Sequence, residues 1–333
     1  MAGAGRSGTE RTMAEQNGVL TKEFWENKRA EWARSDAARD AGLTTPAGIE
    51  RFDDLAYGPH DRWNMLDIYR PKNPAGRLPV NKLPVIVSIH GGGWFYGTKE
   101  VYQYYLMDLA GRGFAVVNFN YRLAPEHPFP SQLEDIAGAM RFVRDHEQEY
   151  GLDLANLFLI GDSAGGQLCG MYANLCTNPA YREEMRAQFP HWFRSEEDIV
   201  PAGISLRAVG LHCGSYDILG RAADGDRVFL DALLAPATRE KMALIDVLRH
   251  MTPAFPPAYA LTSEHDFLCG QLPLLEKRLT ELGVPHRAKL YGKGDPQVGH
   301  VFMCNLRLAE GKLANDEECA FFREIMEHEA VRN

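Results

Sequence analysis

Apolar and polar positions change rhythm along this chain. Over residues 21–40, Phe24, Trp25, Trp32 and Ala33 recur near helical spacing among Glu, Lys and Arg, with Thr21 placed to cap them; a helix is predicted there. Beyond it, strand-like runs alternate with helical ones. Strands are predicted at 63–69, 85–90, 115–120, 156–161, 208–212, 258–263 and 286–291. Helices are predicted at 131–150, where Leu133, Ile136, Met140 and Val143 share a face, and at 164–176, 269–282 and 315–329. Several of the strands, such as VIVSI and NLFLI, are continuously apolar instead of alternating. Such strands are buried on both faces, so the predicted fold class is α/β, a mostly parallel sheet covered by helices on both sides. Sheets of this kind carry their chemistry on loops at the carboxyl ends of the strands.

Two stretches break the alternation, 178–206 and 215–256. Both exceed ordinary loop length and are read as excursions with helices of their own. Residues 1–17 are rich in Gly, Ser, Thr and charge and read as a flexible leader without the apolar core of a signal peptide. Residues 18–50 then form an N-terminal helical segment and 51–333 the main body. The two Trp of the first helix leave two readings open, a helix packed on the body or a cap over a site.

Composition narrows the function classes. Of 333 residues, 45% are hydrophobic and 24% charged, as in soluble globular proteins. The net charge of −9 removes the electrostatic attraction that nucleic-acid binding requires. No apolar run is long enough to span a bilayer, and the reading is a cytoplasmic protein. The six cysteines (Cys169, Cys176, Cys213, Cys269, Cys304, Cys319) form no CxxC pair, so reduced, partly buried thiols are expected instead of a zinc site.

The strongest chemical signal is Gly161-Asp162-Ser163-Ala164-Gly165 between a predicted strand and a predicted helix. A sharp strand-to-helix turn holds the central hydroxyl above the sheet at the positive end of the helix, and the flanking glycines let the chain fold back. A serine hydroxyl needs a base, and the base an orienting acid. Asp266 and His300 lie on loops after later strands, at the same sheet edge and in the order expected. His212, His265 and His286 compete for the base, and Asp217, Glu264 and Asp295 for the acid. After the strand at 85–90 comes His90-Gly91-Gly92-Gly93-Trp94. Its glycines let the Gly92 and Gly93 N–H groups approach a developing oxyanion, with Ala164 N–H as a third donor. No Gly-Lys-Ser/Thr follows, nor is there a GxGxxG at a first βα turn, so phosphate-loop and dinucleotide readings fail. Trp94 is a candidate for lining a substrate pocket. Arg122 and Glu126 read as scaffold, and Asp162 as a brace of the turn.

Together HGGGW at 90–94, YRLAPEHPFP at 121–130, GDSAGG at 161–166, DFL at 266–268 and GHVF at 299–302 resemble the hormone-sensitive-lipase-like branch of the α/β-hydrolase fold. The resemblance runs from about residue 55 to the end of the chain. It implies Ser163, Asp266 and His300 as a triad, Gly92, Gly93 and Ala164 as the oxyanion hole, and a helical cap built from the N-terminal helix and the segment after Gly214. One departure stands out: family members often carry D-P-L-R-D-E where this chain has Asp266-Phe267-Leu268-Cys269-Gly270-Gln271. The excursion at 178–206, with Phe189, Trp192 and Phe193, is longer than usual for the family and reads as a cap extension or a homodimer contact.

The expected function is a serine carboxylesterase acting on small-molecule esters of small-to-medium acyl groups, with no metal and no cofactor. The HGGGW loop also fits the HGGxW of arylformamidase-type amidases, which would use the same triad. A third reading is a non-catalytic ligand-binding hydrolase homologue.

Overall fold

The computed structural model describes residues 21–72, 82–221 and 227–330. The expected leader at 1–17 lies outside them. The chain divides into two compact units between Ala41 and Gly42. In the first, a helix spans Lys22–Asp40, and the Thr21 hydroxyl caps it by accepting from Phe24 N–H at 3.2 Å.

The second unit is built on one eight-stranded sheet: β1 (Ile49–Ala56), β2 (Met65–Pro71), β3 (Leu83–Ile89), β4 (Ala115–Phe119), β5 (Leu152–Asp162), β6 (Ala208–His212), β7 (Ala258–Ser263) and β8 (His286–Tyr291). Their spatial order is β1-β2-β4-β3-β5-β6-β7-β8. The β1/β2 and β2/β4 pairs are antiparallel and all others parallel. Alternation within each central strand feeds two cores. Val85, Val87, Ile89, Leu157, Leu159 and Val209 pack with the helices Ser131–Asp145 and Ala164–Thr177. Ile86, Val116, Phe158 and Ile160 face the other way, onto the helices Lys99–Ala110 and Ala309–Ala330. Both layers remove apolar surface from water, which is the main force holding such a sheet between helices. The edge strand β8 carries Arg287 and Lys289 and is only half-buried, as an edge should be.

The predicted strands recur within a few residues, and the excursions carry their own helices: Pro179–Gln188 in the first, and Ile218–Arg221, Arg227–Leu234, Arg239–Leu244 and Val247–His250 in the second. Three elements differ from expectation. The partly polar IERFDDLA, which has no strand-like run, is β1. The run containing Tyr102 and Tyr105 is a helix with both rings in the core. The predicted 131–150 helix stops at Asp145, because His146 leaves helical dihedrals before a single turn at Glu147–Tyr150. No helix among the described residues is long and apolar enough to cross a membrane.

Candidate active site

Ser163 follows β5 in a conformation few side-chain-bearing residues adopt, with φ 53° and ψ −118°. Crowding by glycine-only contacts enforces it. A Cβ on Gly165 would lie 2.1 Å from the Ile89 carbonyl oxygen, and one on Gly161 would lie 2.3 Å from that of Gly165. The Ser163 N–H donates to the His212 carbonyl on the neighbouring strand at 2.9 Å. Strain of this kind persists only where the surroundings over-determine it. The result lifts the hydroxyl off the sheet at the start of the helix Ala164–Thr177.

The hydroxyl meets His300 from the loop after β8: Ser163 Oγ lies 2.9 Å from His300 Nε2. His300 Nδ1 lies 2.8 Å from Asp266 Oδ1, on the loop after β7. A carboxylate only accepts, so Nδ1 carries the proton and Nε2 is left to accept from the serine. Asp266 is buried, which opposes its ionisation. The His300 hydrogen bond and charge, the Leu268 N–H at 2.8 Å and the Thr262 hydroxyl at 2.8 Å outweigh burial and hold the carboxyl below its usual range.

The glycine loop after β3 lies against the serine turn. Gly92 and Gly93 have φ 113° and 59°, backbone that favours glycine. Among the described residues, the N–H groups of Gly92, Gly93 and Ala164 donate to no protein acceptor. The loop is tied to the serine turn through Asp162. Its Oδ1 accepts the Gly91 N–H at 3.1 Å and its Oδ2 the Tyr102 hydroxyl at 2.8 Å. Burial raises the Asp162 pKa in spite of these donors. Behind the loop His90 stacks on Tyr121 with centroids 4.1 Å apart, and its Nδ1–H donates to the Gly91 carbonyl at 2.7 Å.

An esterase B from Lactobacillus rhamnosis superposes with a TM-score of 0.80 over 94% of this chain and 100% of its own, at 24% identity. The fold is that of the α/β-hydrolases. Residues 66–197 of this chain match the BD-FAE family. The carboxylesterase NlhH of Mycobacterium tuberculosis is 29% identical over 227 residues, 61% of this chain and 63% of its own. The carboxylic ester hydrolase LipM of the same organism is 30% identical over 224 residues, 65% of this chain and 48% of its own. These matches span less than two thirds of either relative's length. The esterase names agree with the family that the five motifs resemble.

Other candidates from the sequence have different places in the structure. His212 is buried behind the serine turn with its Nε2 2.5 Å from Glu318 Oε1, so its imidazole points away from Ser163. His265 is exposed, and His286 opens β8 at the far edge of the sheet. Asp217 accepts the Gly220 N–H and Glu264 the Gly294 N–H, while Asp295 lies exposed on the loop before His300. Arg122 is buried against Asp135 and Glu134, a scaffold pairing. Trp94 is buried beside the glycine loop, with its indole N–H donating to Gln167 Oε1 at 3.1 Å. In the first excursion Phe193 is buried and Phe189 meets Phe129 edge-on, so these aromatics serve the protein's own core.

Cys213, Asp266 and His300 hold donor atoms within 4.8 Å of one another, the spacing of a cation site. Burial and the neighbouring Asp266 charge push the Cys213 thiol up, and Asp266 is already engaged by His300, Thr262 and Leu268. A cation there would have to break the serine relay. Tyr102, Thr262, Gln167 and Glu318 also support the site; their roles depend on contacts between distant segments and left no sequence signal.

Proposed function

We propose that this α/β-hydrolase cleaves carboxylic esters of small-to-medium acyl groups through an acyl-enzyme on Ser163. One observation carries the reading: a continuous hydrogen-bonded line from the Ser163 hydroxyl through His300 to a buried, ionised Asp266, beside three main-chain N–H groups with no protein acceptor. Ser163 Oγ attacks the ester carbonyl as His300 Nε2 takes its proton. Asp266 holds the imidazole in the tautomer this requires and stabilises the imidazolium. The Gly92, Gly93 and Ala164 N–H groups receive the carbonyl oxygen as it becomes an oxyanion; losing one such donor typically costs about 3 kcal/mol. His300 then gives its proton to the leaving alcohol oxygen. Water attacks the acyl-enzyme, again through His300, and the acid departs. Trp94, its N–H committed to Gln167, offers an acyl group only apolar ring surface.

Esterase names among the relatives and structural neighbours support an ester over a formyl-amide substrate. A fluorophosphonate probe should label the folded protein at Ser163, and Ser163→Ala should abolish both labelling and hydrolysis of p-nitrophenyl butyrate. Hydrolysis at near-native rate by that variant would remove Ser163 from the mechanism.

A further inference from the structure

The residue between Asp266 and Leu268 is placed unlike its neighbours. Asp266 and Leu268 are 3% and 4% exposed, whereas Phe267 is 70% exposed, the most open large apolar side chain among the described residues. The turn, closed by Asp266 N–H donating to Ser263 O and Cys269 N–H to Asp266 O, buries Leu268 and leaves the Phe267 side chain outward. It does not direct it away from the site. The Phe267 ring centroid lies 4.4 Å from that of His300, at 47°. Phe267 also stands where the resembling family often carries proline, in the segment where this chain departs from the family's acidic pattern.

The side of the reaction that Phe267 serves follows from proton transfer. With the carbonyl oxygen on the Gly92, Gly93 and Ala164 amides, the leaving alcohol oxygen must come within about 3 Å of His300 Nε2 to receive its proton. The first atoms of the alcohol therefore sit beside the imidazole, within reach of a ring packed on it. The acyl chain leaves the carbonyl carbon in another direction.

We propose that Phe267 is the alcohol-side specificity residue, selecting esters whose leaving alcohol carries an apolar ring. This rests on the esterase reading above. An aromatic alcohol group stacks offset or edge-on against the exposed Phe267 face and removes that face from water, gains open to an ethyl group only in small part. The contact is made while the ester is intact and ends when the alcohol departs. It therefore acts on kcat/KM, and not on the hydrolysis of the acyl-enzyme, which is common to all esters of one acid.

The test compares benzyl and ethyl butyrate, two alkyl leaving groups on one acyl group, with the wild type, Phe267→Ala and Phe267→Leu. Thermal melting checks that each variant is folded. The expected result is a fall of about tenfold in the benzyl-to-ethyl ratio of kcat/KM for Phe267→Ala and a smaller fall for Phe267→Leu, which keeps apolar bulk without the ring. A ratio within about twofold of wild type in a folded Phe267→Ala, or an equal loss on both esters, overturns the assignment. If the wild type turns over neither ester and Ser163 resists the fluorophosphonate, the esterase reading itself has failed and the assignment falls with it. Ester turnover with unaltered selectivity removes the assignment alone.

Discussion

The Tyr102 hydroxyl donates to the Asp162 carboxylate at 2.8 Å, and the Gly91 N–H lies 3.0 Å from the same hydroxyl and 3.1 Å from the same carboxylate. This joint locks the glycine loop after β3 to the turn that carries Ser163, across two neighbouring parallel strands. Removing the hydroxyl leaves a buried carboxylate short of a donor. Tyr102→Phe should cost about 1–3 kcal/mol of stability in denaturant melts. Because the joint sets where the Gly92 and Gly93 amides sit relative to Ser163, kcat should fall more than KM rises. A variant with lowered stability and unchanged kcat would show that the joint only supports the fold.

Asp266 fixes the tautomer of His300 through a 2.8 Å hydrogen bond. Asp266→Asn keeps the size but can present an N–H to Nδ1, which favours the tautomer with its proton on Nε2. In steady-state ester hydrolysis kcat should drop by about 10⁴, with little change in overall fold by circular dichroism. Retention of a tenth of wild-type kcat would require another acid, such as Glu264 or Asp217.

Gly165 and Gly48 provide a matched contrast. At Gly165 an added Cβ would meet the Ile89 and His90 carbonyl oxygens at 2.1 and 2.5 Å, both backbone atoms of a central strand and its loop. At Gly48 nothing lies within 4 Å. Gly165→Ala should destabilise the protein by about 1–3 kcal/mol or more and lose activity, while Gly48→Ala should stay within about 0.5 kcal/mol. Equal melting temperatures for the two variants would contradict the crowding at the turn.

His90 sets a pH dependence. Burial lowers its pKa from 6.5 to about 4, against the opposing hydrogen bond to Gly91. Between those values the unfolded chain binds the proton and the folded chain does not. Stability from this group is therefore complete above about pH 6.5 and declines as the pH falls towards 4, by at most about 1.4 kcal/mol per pH unit. His90→Asn, whose amide can still donate to the Gly91 carbonyl, should flatten that slope in denaturant melts run across this range. An identical slope in the variant would place the acid sensitivity elsewhere.

Local order made much of the site legible. The glycines at 161 and 165 are readable because a strand-to-helix turn this tight excludes side chains, and the spacing alone reports it. The loops bearing Asp266 and His300 follow recognisable apolar strands, so their common edge could be inferred from a parallel sheet. β1 was not legible because half its residues are polar; as the outer antiparallel strand it needs only one buried stripe. The helix Lys99–Ala110 was obscured by its run of tyrosines, which sequence alone could not divide between core and rim.

By itself the sequence determined the strand-helix alternation, the strained serine turn, the glycine loop, and the order in which Ser163, Asp266 and His300 follow their strands, because each is written in neighbouring residues and their backbone requirements. Tertiary structure alone decided which of His300 and His212 meets Ser163. Both follow strands at the reactive edge, but one imidazole reaches Ser163 while the other turns through the sheet to Glu318. It likewise decided that Tyr102 braces the glycine loop and that Phe267 lies on His300, since those contacts join segments from separate strands and depend on how the sheet brings their ends together.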